Sequence, residues 1–584
     1  MTYLDWTVLI LTLAAIIAYG LYKSRTTHNL DGYFLSNRSM QWGLILLSIM
    51  GTQASAITFL SAPGQAYTDG MRFVQYYFGL PIAAVVICIV FVPVFSRLKV
   101  YTAYEYLETR FDLKTRTFTS FLFLLQRGLS TGISVFAPSI ILSSLLGWNI
   151  YWTNLFMGGL LIIYTMSGGA KAVAYTQQLQ LIIIFLGMFL AAYMVVNMLP
   201  KEIGFFDALH ISGKLGKLNV ITTGIKDGKF NWSDQYNLLS GVIGGFFLAL
   251  SYFGTDQSQV GRYLTASSIK ESRLGLLMNG IVKVPMQFLI LLVGALVFTF
   301  YQFNSAPIFF NDVQNARLEN STYRDSLSIA KAQYLLVAKR KTEAVAQFSH
   351  TLNTGQAIQI DNKTSELRQL QRTSDSLRGK VREWINASGG DGNDTNYIFL
   401  RFVVDYLPAG LVGLLIAIIF LASWGSIAAA LNSLSSCTMV DFHRRFSKRP
   451  ITPEKEYQLS KWWTLAWGIF CIVVAMFTYN IGNSLIEAVN VLGSLFYGVI
   501  LGVFLVAFFL KNIRNGVAVF VAALLAECVV LTVFILAKLG YYKLGFLWLN
   551  PIGAFGVILF SLFFNSILSN KKLAPPSAGP YETS

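Results

Sequence analysis

Apolar residues in this chain gather into long runs, and most of the runs lack the helical stripe or strict alternation that a half-buried soluble element shows. About thirteen of them are long enough, or nearly so, to cross a hydrocarbon core of ~30 Å as helices. They are Trp6 to Tyr22, Gln41 to Ala62, Phe73 to Phe95, Phe118 to Leu146, Tyr151 to Met166, Val173 to Met198, Leu238 to Phe253, Gly275 to Phe300, Leu411 to Met439, Trp463 to Tyr479, Leu485 to Leu510, Gly516 to Ala537, and Phe546 to Leu568. The pattern predicts an all-α membrane protein. An odd number of spans places the termini on opposite sides. Basic loops fall on one face: Arg97, Lys99, Arg110, Lys114 and Arg116, then Arg262, Lys270 and Arg273, then Arg444, Arg445, Lys448 and Arg449. Lysine and arginine mark the cytoplasmic side, so the expected topology is N-terminus outside and C-terminus inside.

The apolar pattern is interrupted once, between Tyr301 and Tyr397, where Leu367, Leu370 and Leu377 recur among Arg, Gln and Glu. This segment is expected to be helical and amphipathic, a hairpin over the entrance on the non-cytoplasmic face, serving as a solvated spacer or as a cap that gathers substrate. The tail from Asn570 to Ser584 is short and polar.

Polar positions inside the spans carry the next step. A helix in lipid must satisfy its own backbone groups, so glycine and polar clusters at mid-depth mark a protein-shielded cavity. The second span contains Ser48-Ile49-Met50-Gly51-Thr52-Gln53-Ala54-Ser55-Ala56-Ile57-Thr58, and the seventh ends Leu250-Ser251-Tyr252-Phe253-Gly254-Thr255-Asp256-Gln257. With the first helix set aside, these two open successive groups of five helices. Five is odd, so the second group is inverted relative to the first, the plan of many secondary transporters whose opening helices are broken at the midplane. Such breaks free carbonyls and expose helix ends that can hold a cation and polar solute groups.

Composition agrees with a lipid environment, since 54% of the 584 residues are hydrophobic and only 13% charged. The net charge of +16 sits largely in the short loops, and no basic patch interleaved with aromatics indicates nucleic acid. The chain opens Met1-Thr2-Tyr3-Leu4-Asp5 without a basic n-region, so its first apolar run is expected to be a retained helix. Cys88, Cys437, Cys471 and Cys528 show no paired spacing, and His28, His210, His350 and His443 are scattered through loops, so neither a zinc site nor an enzyme's catalytic group is signalled.

Three longer motifs are specific. Tyr101-Thr102-Ala103-Tyr104-Glu105-Tyr106-Leu107-Glu108-Thr109-Arg110-Phe111, Gly254-Thr255-Asp256-Gln257-Ser258-Gln259-Val260-Gly261-Arg262-Tyr263-Leu264 and Ala430-Leu431-Asn432-Ser433-Leu434-Ser435 resemble the sodium:solute symporter family, whose members carry sugars, sialic acid, proline, iodide, vitamins and monocarboxylates. The resemblance implies a leucine-transporter-type 5+5 inverted-repeat core with one extra helix before and two after. It also implies a sodium ion between the first and eighth core helices, held by the carbonyls of Gly51, Ala54 and Ala422 and the hydroxyl of Ser426. Gly425 stands where relatives commonly have a second hydroxyl, with Thr52, Ser423 or water able to complete the shell. A second sodium position of some relatives falls on Gln177, Ala428 and Ala429, without the usual carboxylate and hydroxyls, so one sodium per solute is expected.

The substrate pocket is expected from residues facing one cavity: Gln53, Ser55 and Thr58, Gln75 on the second core helix, and Ser130 on the third. Uncharged donors and acceptors suit sugars, polyols or amides. Tyr252 matches the aromatic inner gate of sugar-transporting relatives. Arg127 lies too deep to snorkel and needs a partner, either an anionic substrate or a structural carboxylate or carbonyl. It precedes by one turn Ser130, the position that the resemblance matches to the carboxylate-binding arginine of sialic-acid relatives.

The expected organisation is an N-terminal helix and cytoplasmic loop at 1–40, a first repeat at 41–200, an outer loop at 201–237, the start of the second repeat at 238–300, the insertion at 301–397, the rest of that repeat at 398–511, two further helices at 512–569, and a cytoplasmic tail at 570–584. The expected function is sodium-coupled import of a small polar organic solute (sugar, polyol or small carboxylate) across the plasma (inner) membrane by a monomeric unit, with the solute, sodium and the lipid bilayer as its partners. A solute-sensing receptor of the same fold, or coupling to protons, are the alternatives.

Overall fold

The computed structural model describes residues 1–24, 34–354, 357–448, 450–478 and 484–568. The expected tail at 570–584, most of the first cytoplasmic loop, Arg449 and the end of the tenth predicted span at Tyr479 lie outside the described residues.

The described residues are almost wholly helical. In chain order the principal helices are α1 (Tyr3–Ser24), α2 (Trp42–Gln53), α3 (Ala56–Asp69), α4 (Leu80–Leu98), α5 (Leu113–Leu146), α6 (Ile150–Asn197), α7 (Phe205–Lys214), α8 (Gly245–Gly254), α9 (Gln257–Tyr263), α10 (Ile269–Phe303), α11 (Arg324–Thr354), α12 (Ala357–Ala387), α13 (Thr395–Tyr406), α14 (Leu411–Cys437), α15 (Pro453–Phe477), α16 (Leu485–Phe509), α17 (Gly516–Lys538) and α18 (Leu549–Leu568). Among the described residues ten helical segments are long and apolar enough to cross a membrane, or 11 with the bent pair α2 and α3 counted as one span. Two of the predicted spans are shorter apolar helices, Ile150–Met166 and Ser240–Gly254.

The fifth and sixth predicted spans are joined as the 48 residues of α6. A straight helix would place Tyr164 and Thr176 ~18 Å apart along the axis, which their side chains cannot bridge. Their hydroxyls nevertheless meet at 2.7 Å, so the helix bends back sharply between them.

The second predicted span breaks where its polar residues predicted. α2 and α3 diverge by 62°, with Ala54 at φ −76°, ψ 70° and Ser55 extended. The Ala54 N–H still bonds the Met50 carbonyl, but the Ser55 N–H turns to Gln53 O and the Thr58 N–H to Ser55 O. Among the described residues the carbonyls of Gly51 and Ala54 are therefore left without a backbone donor. The counterpart break separates α8 from α9, where Asp256 caps α9 by accepting from the Ser258 N–H at 2.7 Å.

The insertion is the predicted hairpin, α11 antiparallel to α12, and it is docked rather than free. Ile308, Phe309, Leu318, Leu327, Val381 and Ile385 form a small core of their own, while Leu367 joins the main membrane core. Its base grips the second half of the broken helix: Tyr67 of α3 packs edge-on against Phe298, Tyr301 and Phe310, pairs worth ~0.5–1.5 kcal/mol each beyond their buried area. Gly64 adds a contact to the Thr395 carbonyl that leaves no room for a Cβ. The same region is fastened by Asp394, fully buried, which accepts from Arg378 at 2.7 Å, Arg382 at 2.9 Å and the Phe310 N–H at 2.9 Å.

Burial works to raise the Asp394 carboxyl, but the Arg378 and Arg382 guanidiniums and the Phe310 N–H outweigh it and hold the group below the usual carboxylate value. A carboxyl lowered in this way stabilises the fold above its unfolded pKa of ~3.9, and that contribution is lost as pH falls through the lower folded value. Asp394→Ala is expected to cost about 3–5 kcal/mol of stability at neutral pH, because it strands a buried guanidinium. Thermal denaturation checks it, with the difference from wild type narrowing below about pH 4.

Candidate functional site

Between the two breaks lies a cavity of about 140 Å³. Gln53, Ser55 and Thr58 reach it from the first break, Arg127 and Ser130 from α5, and Tyr252 from α8. Six of the seven expected substrate residues are thus brought together. Gln75 is not: it is fully buried, its amide nitrogen donates to Thr222 Oγ1 at 3.0 Å and the Tyr236 carbonyl at 3.1 Å, and its oxygen accepts from the Thr222 N–H at 3.1 Å. The chain after α3 forms a 3-10 helix at Met71–Tyr77, not the membrane helix whose period would have turned Gln75 inward. Tyr76 and Tyr77 of that segment line the cavity instead.

Arg127 has a protein partner. Its guanidinium lies 3.8 Å from Asp256 Oδ2 and 5.9 Å above the Tyr252 ring. Asp256 also accepts from the Tyr497 hydroxyl at 2.6 Å, and Tyr252 accepts from Gln259 Nε2 at 2.7 Å. One knot therefore ties α5, the α8–α9 break and α16 together beside the cavity. Asp256 sits in the motif Gly254-Thr255-Asp256-Gln257, but nothing in a linear sequence pairs it with an arginine on another helix.

Lys283 of α10, which sequence reasoning missed, also lines the cavity. It is 1% exposed, its Nζ lies 5.4 Å over the Tyr77 ring, and among the described residues no carboxylate pairs with it. A buried lysine in an apolar span was the available signal. With Arg127 paired to Asp256, Lys283 is the basic side chain at the cavity that has no carboxylate partner among the described residues.

Beside the cavity, α2, α6 and α14 converge at the expected sodium residues. The Gly51 and Ala54 carbonyls are free of backbone donors, and the buried Ser426 hydroxyl donates to Ser423 O at 3.1 Å, which leaves its own lone pairs open. Ala422 lies one turn earlier on α14. Ser423 Oγ and Gln180 Nε2 are buried without hydrogen-bond partners among the described residues. Neutral oxygens in this number fit a hard monovalent cation. Gln177, at the position that the resemblance matches to a second sodium site, is bonded within the protein: it accepts from Ser48 Oγ at 3.0 Å and donates to Thr52 Oγ1 at 3.2 Å and Gly425 O at 3.1 Å. A Cβ at Gly51 would strike the Gln177 side chain. Ala428 and Ala429 pack against Val173.

The model of the sodium:solute symporter family matches residues 33–323 and 381–524. The chain is 25% identical over 561 residues to the sodium/sialic acid symporter SiaT of Proteus mirabilis, covering 95% of this chain and 94% of that one. It is 24% identical to the sodium/sialic acid symporter NanT of Aliivibrio fischeri, covering 97% and 95%. In fold it resembles a substrate-bound, outward-open Na+-coupled sialic acid symporter, with a TM-score of 0.72, 24% identity, and 97% and 98% of the two chains covered.

Removing one partner of the buried pair should hurt more than removing both. Asp256→Asn alone is expected to cost about 3–5 kcal/mol by leaving Arg127 uncompensated, and adding Arg127→Met should recover part of that loss. A double-mutant cycle of thermal stability reads the coupling.

Proposed function

The chain belongs to the sodium:solute symporter family, and from that membership we propose that it imports a small hydroxylated carboxylate together with sodium by alternating access. It is a multi-pass membrane protein, and its relatives are transporters, not enzymes. The observation that carries the substrate class is Lys283, an enclosed lysine lining the cavity with no carboxylate partner among the described residues. A buried unpaired charge is costly, and a substrate carboxylate relieves it. Gln53, Ser55, Thr58 and Ser130 meet the hydroxyl groups. The sialic acid symporters among the relatives support this reading.

The sodium ion is assigned to the carbonyls of Gly51, Ala54 and Ala422 and the hydroxyl of Ser426, beside Gly425. Coupling follows from shared structure: the break that frees these carbonyls also presents Gln53 and Ser55 to the solute, so filling one site orders the other, and the linkage is reciprocal. A potential of 100 mV supplies roughly 2.3 kcal/mol per charge, enough for about fiftyfold accumulation when net charge moves inward with each cycle. For a monoanion carried with one sodium the cycle is electroneutral, and the sodium concentration gradient supplies the drive.

The Arg127–Asp256–Tyr497 knot joins elements that must separate for the cavity to open inward, and Tyr252 lies against it as the inner gate. The inward direction, the N-out topology, the monomeric unit, the plasma (inner) membrane and the division into repeats at 41–200 and 238–511 around the insertion belong to the same proposal. Gln177, bonded to Gly425 and Thr52, supports a ratio of one sodium per solute.

In proteoliposomes under a sodium gradient, Lys283→Met is expected to lower sialic acid uptake at limiting concentration about 10- to 100-fold, the worth of a charge-assisted hydrogen bond. Uptake of the neutral carboxamide analogue should change less than about threefold; equal loss for both would refute the carboxylate role. Paired sodium and solute fluxes should give a one-to-one ratio, and Ser426→Ala should raise the sodium concentration needed for half-maximal uptake.

A further inference from the structure

A second polar cavity of about 880 Å³ opens on the face that bears the insertion. It shares two elements with the central cavity. Thr58 of α3 lines the lower space, and Gln65 and Asp69, two to three turns further along the same helix, line the upper one. On α16, Ile486 and Asn490 face the central cavity while Glu487 faces the outer one. A solute leaving one space for the other passes along the same two helices.

Two side chains here are not committed to the protein. Gln65 is 9% exposed, lines this cavity, and its carboxamide has no hydrogen-bond partner among the described residues. An amide so enclosed is a strong donor and acceptor aimed at whatever enters. Glu487 spends one oxygen on Gln235 Nε2 at 3.0 Å, and its second oxygen has no partner among the described residues. The other charges are largely internal: Arg72 is clamped between Asp69 at 2.8 Å and Asp234 at 2.6 Å. The wall behind them is fixed, because Gln75 holds Thr222 and the Tyr236 carbonyl. That gives Gln75 a role in place of the substrate contact expected of it.

We propose that this outer cavity is a second solute site, in which Gln65 and Glu487 bind the hydroxyl groups of a polyhydroxylated solute before it descends to the central cavity. An amide offers a donor and an acceptor side by side, as vicinal hydroxyls require, and a carboxylate accepts from hydroxyls. The volume suits an organic molecule with part of its hydration rather than a bare ion. The inference rests on the symporter reading for the solute's destination, while the site itself rests on the geometry of Gln65 and Glu487.

The test uses D-sorbitol, a neutral polyol that lacks the carboxylate Lys283 would select. Saturation-transfer NMR on the purified full-length protein is expected to show sorbitol contact, reduced about fivefold or more in Gln65→Leu and in Glu487→Gln, the worth of about one hydrogen bond. In proteoliposomes the same variants should lower sialic acid uptake at limiting concentration by a similar factor and leave the saturated rate within about twofold. Wild-type melting temperatures exclude misfolding; a variant that fails this control is replaced by Gln65→Asn, which keeps the amide but shortens its reach. A sorbitol signal absent from wild type, or unchanged in the substituted proteins, overturns the proposal. So does equal loss of limiting and saturated uptake rates. Absence of sodium-dependent sialic acid uptake in wild type would instead refute the symporter reading and leave the sorbitol result to stand by itself.

Discussion

A peptide carbonyl inside a membrane has no water to turn to, and this structure is organised around two places where the helix stops supplying its own donors. At the first, the N–H groups of Ser55 and Thr58 bond locally, so the Gly51 and Ala54 carbonyls face outward from the backbone. Such groups are tolerated at mid-depth only where protein or a polar cavity shields them from lipid. The α6 and α14 helices provide that shield, and Gln177 links α2 to α14 by hydrogen bonds to Thr52 and Gly425. The residues proposed to hold the cation and the polar cavity are therefore neighbours, since both flank the same break.

Charge deepens the consequence. The cavity wall contains two buried cations treated in opposite ways. Arg127 is answered by Asp256, which Tyr497 and the start of α9 also hold. Among the described residues Lys283 meets the face of Tyr77 and no carboxylate. One pair is a tie between helices, and the other cation is an open valence. This lysine lines the same cavity as Gln53, Ser55, Thr58 and Ser130, and that shared lining is what the proposed carboxylate reading rests on.

The insertion packs against the same broken helix. Its aromatic base surrounds Tyr67, and Tyr67 lies on α3, the second half of that helix. Asp394 with its two arginines fastens the base. The hairpin is thus docked on the helix that carries Thr58 at the central cavity and Gln65 at the second one.

The helical class, most spans, the breaks at Ala54–Ser55 and Gly254–Gln257, and six of the seven residues expected at the solute cavity were legible in the sequence. Each rests on local physics: hydrocarbon thickness sets run length, and polar residues at mid-depth require a shielded site. Gln75 was misplaced because a 3-10 turn replaced the expected helix and changed which residues face inward. The fold-back of α6 shows itself through Tyr164 meeting Thr176, a contact that run length alone does not reveal. The pairing of Arg127 with Asp256 and the isolation of Lys283 were decided only by tertiary structure, because whether a buried charge has a partner depends on helices far apart in the chain. Sequence determined where the backbone would break; packing determined which charges would meet across the gap.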